Sequence, residues 1–290
     1  MTYYLVDGQR KFVSFQEYFN NFVEYQPLAS NGETGNINKI STDTVEGNAG
    51  KALKPVSITT TKLIIDSIRQ SVFQNIYKHK LWGKGGKGSG GGSSVGYTVI
   101  LRKRLLEFIT KHNFSSMADI PCGAMEWTEV FLKSVWQERP FFRYIGMDIT
   151  KSVVEQLQEQ WKGNDKVNIR LADLVSPLPN IKADFILTRD ALQHIPLKDA
   201  CLAIENIINL GDNVKYVLIG TYPKNLRNTN IKTGGYQSIN VIKDPFNLPE
   251  PYLTIKEIPD KEQKYANGVA VKAIGGDGNA RVVKTVGVVV

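Results

Sequence analysis

Three short stretches hold residue types that could do chemistry. "DIPCG", Asp119 to Gly123, sets an acid and a glycine around a tight turn. There a small residue lets a ligand approach the backbone, and the start of a following helix offers free amides. "YIGMD" ends on Asp148, about 20 residues or slightly more beyond that turn, where an acid can accept hydrogen bonds from two ribose hydroxyls. "TRDALQHIP" gathers Arg189, Asp190 and His194; the last two are four apart and share a face if that turn is helical. The turn holds a single glycine, followed by Ala124 and Met125, so it is not the GxGxxG of diphosphate binding. Diphosphate needs several close backbone approaches, whereas one glycine plus a ribose-binding acid suits an adenosyl ligand without phosphates.

These residues need a scaffold, and the sequence around them alternates strand and helix. "SMADI", "RYIGMDI", "NIRLADL", "ADFILTRD" and "VKYVLIGTY" read as strands. The last is nearly all apolar, as a strand buried on both faces should be. "EWTEVFLKSVWQE", "KSVVEQLQEQWK" and "PLKDACLAIENIINLG" read as the helices between them, the last closed by Gly211. The rhythm implies an α/β fold with a mostly parallel sheet and helices on both faces. "YLTIKEI" and "NGVAVKAI" lack a helix between them and read as an antiparallel hairpin completing one edge of the sheet.

Ahead of this domain, "TKLIIDSIRQSVFQNIYKHKLW" and "YTVILRKRLLEFITKHNF" are amphipathic helices flanking the glycine-rich "WGKGGKGSGGGSS". The first should turn Leu63, Ile64, Ile68, Val72, Phe73 and Ile76 inward, and the second Ile100, Leu101, Leu105, Phe108 and Ile109. The chain divides into an N-terminal extension (1–60), partly helical at "FVSFQEYFNNFVEY" and partly loop, and a helical cap with a glycine-rich lid (61–115). The main domain (116–274) and a Val/Gly-rich tail (275–290) follow.

Composition narrows the function. The 290 residues are 42% hydrophobic, enough for a full core, and no apolar run approaches a bilayer span. Two cysteines, Cys122 and Cys201, exclude a disulfide framework and a cysteine-based zinc site. No metal is expected. The start lacks a secretory signature, so the expectation is a soluble cytoplasmic protein. The formal charge of +8 invites nucleic acid, but the lysines are scattered and no base-methylating N-P-P-Y or D-P-P-Y motif is present. A nucleic-acid partner is therefore not expected.

"DIPCG", "YIGMD", "TRDALQHI" and "NIKTGGYQSINVIKDPFNLPEP" together resemble a poorly characterised family of class I S-adenosylmethionine-dependent methyltransferases. Trp82, Gly83, Ser89, Gly90, Gly92 and Ser93 match the same pattern, which runs from about Phe73 to Ile258. The chain departs from it at Gly86-Lys87, where the family has Glu-Ser, and at Ala124, where an acid is usual. Pro121 and Met125 replace the outer glycines of the commoner turn. The resemblance implies a Rossmann-like, seven-stranded class I methyltransferase fold and S-adenosyl-L-methionine as cofactor.

It also implies the site residues. Asp119, Pro121, Cys122, Gly123, Trp127, Asp148, Ile149, Asp173, Leu174 and Arg189 are expected around the cofactor, with Trp82 and Gly83 in a lid that excludes water. Asp119 would face the methionine amino group and Asp173 the adenine amino group; capping the local turn is the plainer role for each. His194, Asp190 and Arg189 are the expected catalytic residues, with His194 as general base and Asp190 orienting it or the substrate, against the plainer reading that His194 caps and packs a helix. His79 and His112 read as surface residues.

Arg227, Asn228, Tyr236 and Asn240 lie in the long stretch after the fifth strand of this sheet and should shape the acceptor pocket. Lys224, Arg227 and Lys232 make that stretch basic and hint at an acidic or heavily hydroxylated acceptor. The acceptor would be a small molecule, glycan or peptide, methylated on a hydroxyl or on an amide or amine. Other readings are a non-catalytic adenosyl-binding scaffold, and self-modification or peptide-natural-product methylation on the Val/Gly-rich tail; that tail also suits an extra edge strand or insertion into a partner.

Overall fold

The computed structural model describes residues 2–6, 9–13, 58–83, 87–249, 251, 253–257 and 285–289. Near the N-terminus, β1 (Thr2–Val6) and β2 (Gln9–Val13) pair antiparallel, a hairpin that the expectation of helix and loop for this extension did not include. The "FVSFQEYFNNFVEY" stretch lies outside the described residues.

The cap helices form as their periodicity requires. In α1 (Ile58–His79), Phe73 and Ile76 are buried, but Ile68 is 58% exposed and leaves the expected inward face. In α2 (Val99–Lys111), Leu101, Leu105, Phe108 and Ile109 are buried. His112, just beyond it, is half-buried and stacks on Phe114 instead of lying free on the surface.

The main domain then alternates β3 (Ser116–Asp119), α3 (Thr128–Glu138), β4 (Arg143–Asp148), α4 (Lys151–Gln160), β5 (Val167–Leu171), β6 (Ala183–Thr188), α5 (Leu197–Ile208) and β7 (Val214–Thr221). The strands β3 to β7 are parallel. Side-chain alternation splits the core into two layers, one on each face of the sheet. Phe185 and Leu187 of β6 pack with α2, α3 and α4, and Ile186 between them packs with α1 and α5.

The sheet order is β5-β4-β3-β6-β7-β9-β8, where β8 is Leu253–Lys256 and β9 is Thr285–Val289. The parallel core with its reversal of strand order is a Rossmann-like sheet. Its antiparallel pair differs from expectation. The partner of β8 is the Val/Gly-rich tail, and "NGVAVKAI" lies outside the described residues. Thr285–Val289 of the tail is not an edge strand: β9 runs between β7 and β8, antiparallel to both. The backbone of Thr285–Val289 is thus hydrogen-bonded on both sides. Among the described residues no helix is long and apolar enough to cross a membrane.

The chain runs outward from β3 through β4 to β5, then returns to lay β6 and β7 on the other side of β3. Strand order reverses between β3 and β6, and a crevice opens beyond their carboxyl ends.

Candidate active site

Strand ends build the floor of this crevice. Asp119 ends β3, Asp148 ends β4, and Arg189 follows β6; all three are buried and line one cavity. After Asp119 the chain turns through Gly123 at φ 55° and Met125 at φ 51°. Met125 thus holds the left-handed backbone that a glycine would favour, which accounts for the loss of glycine there without loss of the turn.

Asp148 accepts from the Gly123 amide at 3.0 Å and, through its other oxygen, from the Thr150 amide at 2.8 Å. Burial raises its pKa while these amides pull it down. Asp119 accepts a hydrogen bond from the Tyr144 hydroxyl at 2.9 Å. Burial pushes its pKa up to about 7, against the opposing pull of Tyr144 and Arg189. Burial also raises the Cys122 thiol well above its ordinary value, so it lines the cavity as a neutral group.

Beyond β5, Asp173 and Leu174 line the same cavity, as do Ile149, Pro121 and Trp127. The Asp173 carboxylate has local partners: one oxygen takes the Val175 amide at 3.0 Å and the other the guanidinium of Arg69, from α1. Arg69 is buried and also reaches Asp66 at 3.3 Å and Asp199 at 3.2 Å. The turn-capping reading of Asp173 therefore has a direct observation behind it.

Arg189 is the hub of the site. It donates through Nε and Nη2 to the two Glu257 oxygens at 2.8 and 2.9 Å, and through Nη2 to the Gly92 carbonyl at 2.8 Å. Its Nη1 pairs with Asp190 at 2.9 Å, and the guanidinium lies 5.8 Å from the Trp127 ring centroid. Burial works against the charge, but Asp190 and Glu257 hold the pKa above its ordinary value. A guanidinium so engaged keeps its charge and ties its neighbours together.

The glycine-rich stretch lies across this floor. Gly88 and Gly90 take φ of 100° and 83°, which brings Ser89 down onto the turn. Its hydroxyl accepts from the Ala124 amide at 3.1 Å and pairs with the Tyr77 hydroxyl at 3.0 Å. A Cβ on Gly123 would stand 2.9 Å from Ser89 Oγ and 3.0 Å from Tyr77 Oη, so the turn is covered by the lid and α1.

A second cavity adjoins the first and shares Trp82, Ser89, Asp190 and His194 with it. His194 closes a short 3-10 turn (Leu192–His194), and Asp190 ahead of it takes φ 56°, so the pair is not carried on a regular helix. The His194 ring lies 4.4 Å from that of Trp82 and 5.8 Å from that of Tyr236, centroid to centroid. Its Nδ1 pairs with the Gly235 carbonyl at 2.8 Å. A carbonyl only accepts, so Nδ1 carries a proton in this contact. The Gly234 and Gln237 amides donate to the carbonyls of His194 and Gln193, which locks the two segments together.

The remaining expectations diverge. Tyr236 lines the second cavity. Asn240 is buried in the loop, donating to the Pro223 and Asn225 carbonyls at 3.1 and 2.9 Å, and Asn228 is buried beside it. Both are structural. Arg227, Lys224 and Lys232 are exposed and line neither cavity, so the expected basic acceptor pocket is not formed by them. Gly83 is an exposed turn residue outside both linings. Sequence reasoning missed Arg69, Tyr77, Tyr97 and Glu257; Tyr77 and Tyr97 flank the glycine-rich motif but fall outside its pattern, and Arg69 and Glu257 reach their partners from elements distant in sequence. Ser89 stood in the glycine-rich pattern but was not singled out.

Residues 118–210 match the family described as "Methyltransferase domain". Similar solved structures include magnesium protoporphyrin IX methyltransferase from Synechocystis PCC 6803 with bound SAH, at 18% identity and TM-score 0.39, covering 57% of this chain and 74% of that one. The methyltransferase domain of bacterial CtHen1-C is 16% identical with TM-score 0.39, covering 67% and 97%. Human N-acetylserotonin methyltransferase in complex with SAM is 13% identical with TM-score 0.40, covering 81% and 59%. No curated protein matches the chain. The matched residues run from within β3 to just past α5 and are similar to a methyltransferase domain.

Proposed function

We propose that this chain transfers a methyl group to a hydroxyl, or to an amide or amine, of a small acceptor held in the second cavity, with His194 as general base. The observation that carries this reading is the placement of His194 where the two cavities meet, with its Nδ1 held by the Gly235 carbonyl.

The first cavity fits the cofactor chemically. Its lining includes the carboxyls of Asp119, Asp148, Asp173 and Asp190 against the guanidiniums of Arg69 and Arg189. An excess of carboxylate suits a ligand bearing a sulfonium and an ammonium. Asp148 would hold the ribose, Asp119 the amino group, and the apolar walls of Ile149 and Leu174 the adenine. Ser89, between two glycines, would swing aside as the lid reseats and excludes water.

When bound, S-adenosylmethionine supplies a methyl group on a sulfonium, which leaves as a neutral thioether. His194 Nε2 takes the acceptor's proton, Gly235 keeps the ring oriented, and Trp82 and Tyr236 hold its faces. The test is His194→Ala. Turnover is expected to fall by about 10²–10³-fold with binding of S-adenosylhomocysteine unchanged. Undiminished turnover removes the catalytic role. Cofactor binding with no turnover on any acceptor by the unaltered protein would favour a non-catalytic adenosyl-binding scaffold.

A further inference from the structure

We infer that Arg69 is a positioning residue of the cofactor site, holding Asp173 so that the cavity takes a 6-amino purine and rejects a 6-oxo one. The inference rests on the cofactor reading above and names what sets the choice of base. Arg69 lies in α1, ahead of the residues that match a methyltransferase domain, so this wall of the cavity comes from outside the matched segment. Arg69, Phe73 and Tyr77 are spaced by four along α1, which sets them on one face, and all three line the cavity. The helix is fastened to the rim beside them. Gln70 donates to the Ile149 carbonyl at 3.0 Å, and Gln74 pairs with Ser152.

Asp173 lines the cavity next to Leu174, at the end assigned above to the base. Its Oδ1 takes the Val175 amide at 3.0 Å and its Oδ2 takes Nη1 of Arg69. Each carboxylate oxygen can accept twice, so a base amino group can still be met. Arg69 is buried and held in turn from the far side. Its Nε and Nη2 donate to one oxygen of Asp199, in the first turn of α5, at 3.3 and 3.2 Å, and Nη1 also reaches Asp66 at 3.3 Å. Partners on α1 and α5 thus seat the guanidinium, and the guanidinium with the Val175 amide sets the plane of the Asp173 carboxylate. Charge state follows from the same contacts. Burial raises the Asp173 pKa, while the Val175 amide and Arg69 oppose it. Ionised, the carboxylate only accepts, so it meets the N–H of a 6-amino group and repels the oxygen of a 6-oxo group. Without Arg69, burial and the nearby Asp66 favour the protonated acid, which can donate to that oxygen, and the choice is lost.

Two ligands that differ at the purine 6-position test the inference. S-adenosylhomocysteine (6-amino) and S-inosylhomocysteine (6-oxo) are titrated calorimetrically into the full chain. The unaltered protein is expected to bind the 6-amino ligand about tenfold more tightly or better. Arg69→Met should cut that ratio to about twofold or less, and Arg69→Lys, which keeps a charge but not the fork, should hold it above about threefold. Should Arg69→Met fail to fold, Asp199→Ala decides: it unseats the guanidinium from outside the cavity lining and should lower the ratio by about threefold. A merely structural role for Arg69 would weaken both ligands equally and leave the ratio where it was. That result, or a ratio near one in the unaltered protein, overturns the inference. Failure of S-adenosylhomocysteine to bind the unaltered chain overturns the cofactor reading and the inference with it.

Discussion

The two cavities are built by different means. Two acids of the inner one sit at strand ends in the hydrogen-bonded sheet, where Asp119 lies opposite Gly146 and Leu187, and Asp148 opposite Leu171. The rings of the outer one come from the glycine-rich stretch and its flanks, from the short turn at His194 and from a long segment without regular structure. That segment is held by its own hydrogen bonds, such as Asn228 to Asn240, and by contacts such as Gly234 to His194 and Tyr222 to Ile239. Sheet register fixes the positions of charges to a fraction of an ångström, as binding a small cationic cofactor demands. Loops let the acceptor wall take whatever shape a substrate needs. Arg189 joins the two, reaching the lid at Gly92, the turn at Asp190 and the chain after β8 at Glu257.

The largest effect should come from cutting that joint. Glu257→Ala leaves a buried guanidinium with Asp190 as its remaining carboxylate partner among these contacts, and removing one member of such a pair costs about 3 kcal/mol or more. Urea unfolding should register the loss, and acceptor turnover should fall with it because Gly92 and Asp190 lose their anchor. A loss under about 1 kcal/mol would mean the cavities are not coupled through this pair.

Gly123→Ala separates the regions more gently. At φ 55° a Cβ is strained, and here it would also press on Ser89 and Tyr77. The expected outcome is about 1 kcal/mol of lost stability and roughly tenfold weaker S-adenosylhomocysteine binding. The KM for the acceptor of the outer cavity should change far less. Equal losses at both sites would erase the distinction between them.

A smaller, pH-dependent effect belongs to the inner cavity alone. Asp119 titrates near 7 in the folded protein against 3.8 ordinarily, so the folded state holds more protons between these values. Stability from this group therefore falls as pH rises through that window. Cofactor affinity should move the opposite way, since ionised Asp119 attracts an ammonium. S-adenosylhomocysteine is expected to bind severalfold more tightly at pH 8 than at pH 6, and Asp119→Asn should flatten the dependence. A profile unchanged by the substitution would assign the titration to another group.

The same contrast explains what the sequence could tell. The sheet, the turn at Gly123 and the acids at 119 and 148 follow from strand periodicity and from acids placed at strand ends, both local signals. Tyr236 and His194 were legible as motif residues, but the Gly235 carbonyl that orients His194 was not, because a backbone partner leaves no residue type to recognise. Glu257 and Arg69 meet their partners across 68 and 130 residues, respectively, distances over which spacing says nothing. The Val-rich tail was legible as a strand, yet its place inside the sheet was not. An all-apolar strand suits an inner position as well as a partner's edge, and only the unpaired ladders of β7 and β8 decide between them.

The smallest expected effect concerns the residues that misled the sequence reading. Lys224, Arg227 and Lys232 are exposed and stand outside both cavities, so their charge is screened by solvent before it reaches a bound acceptor. Replacing all three by alanine should change kcat/KM by less than about twofold at 0.15 M salt. A loss of tenfold or more, relieved by raising the salt, would show that the acceptor extends past the rings onto the basic segment. That result would redraw the acceptor wall as a longer surface, in which the aromatic cavity grips one end of a ligand and the lysines steer the rest.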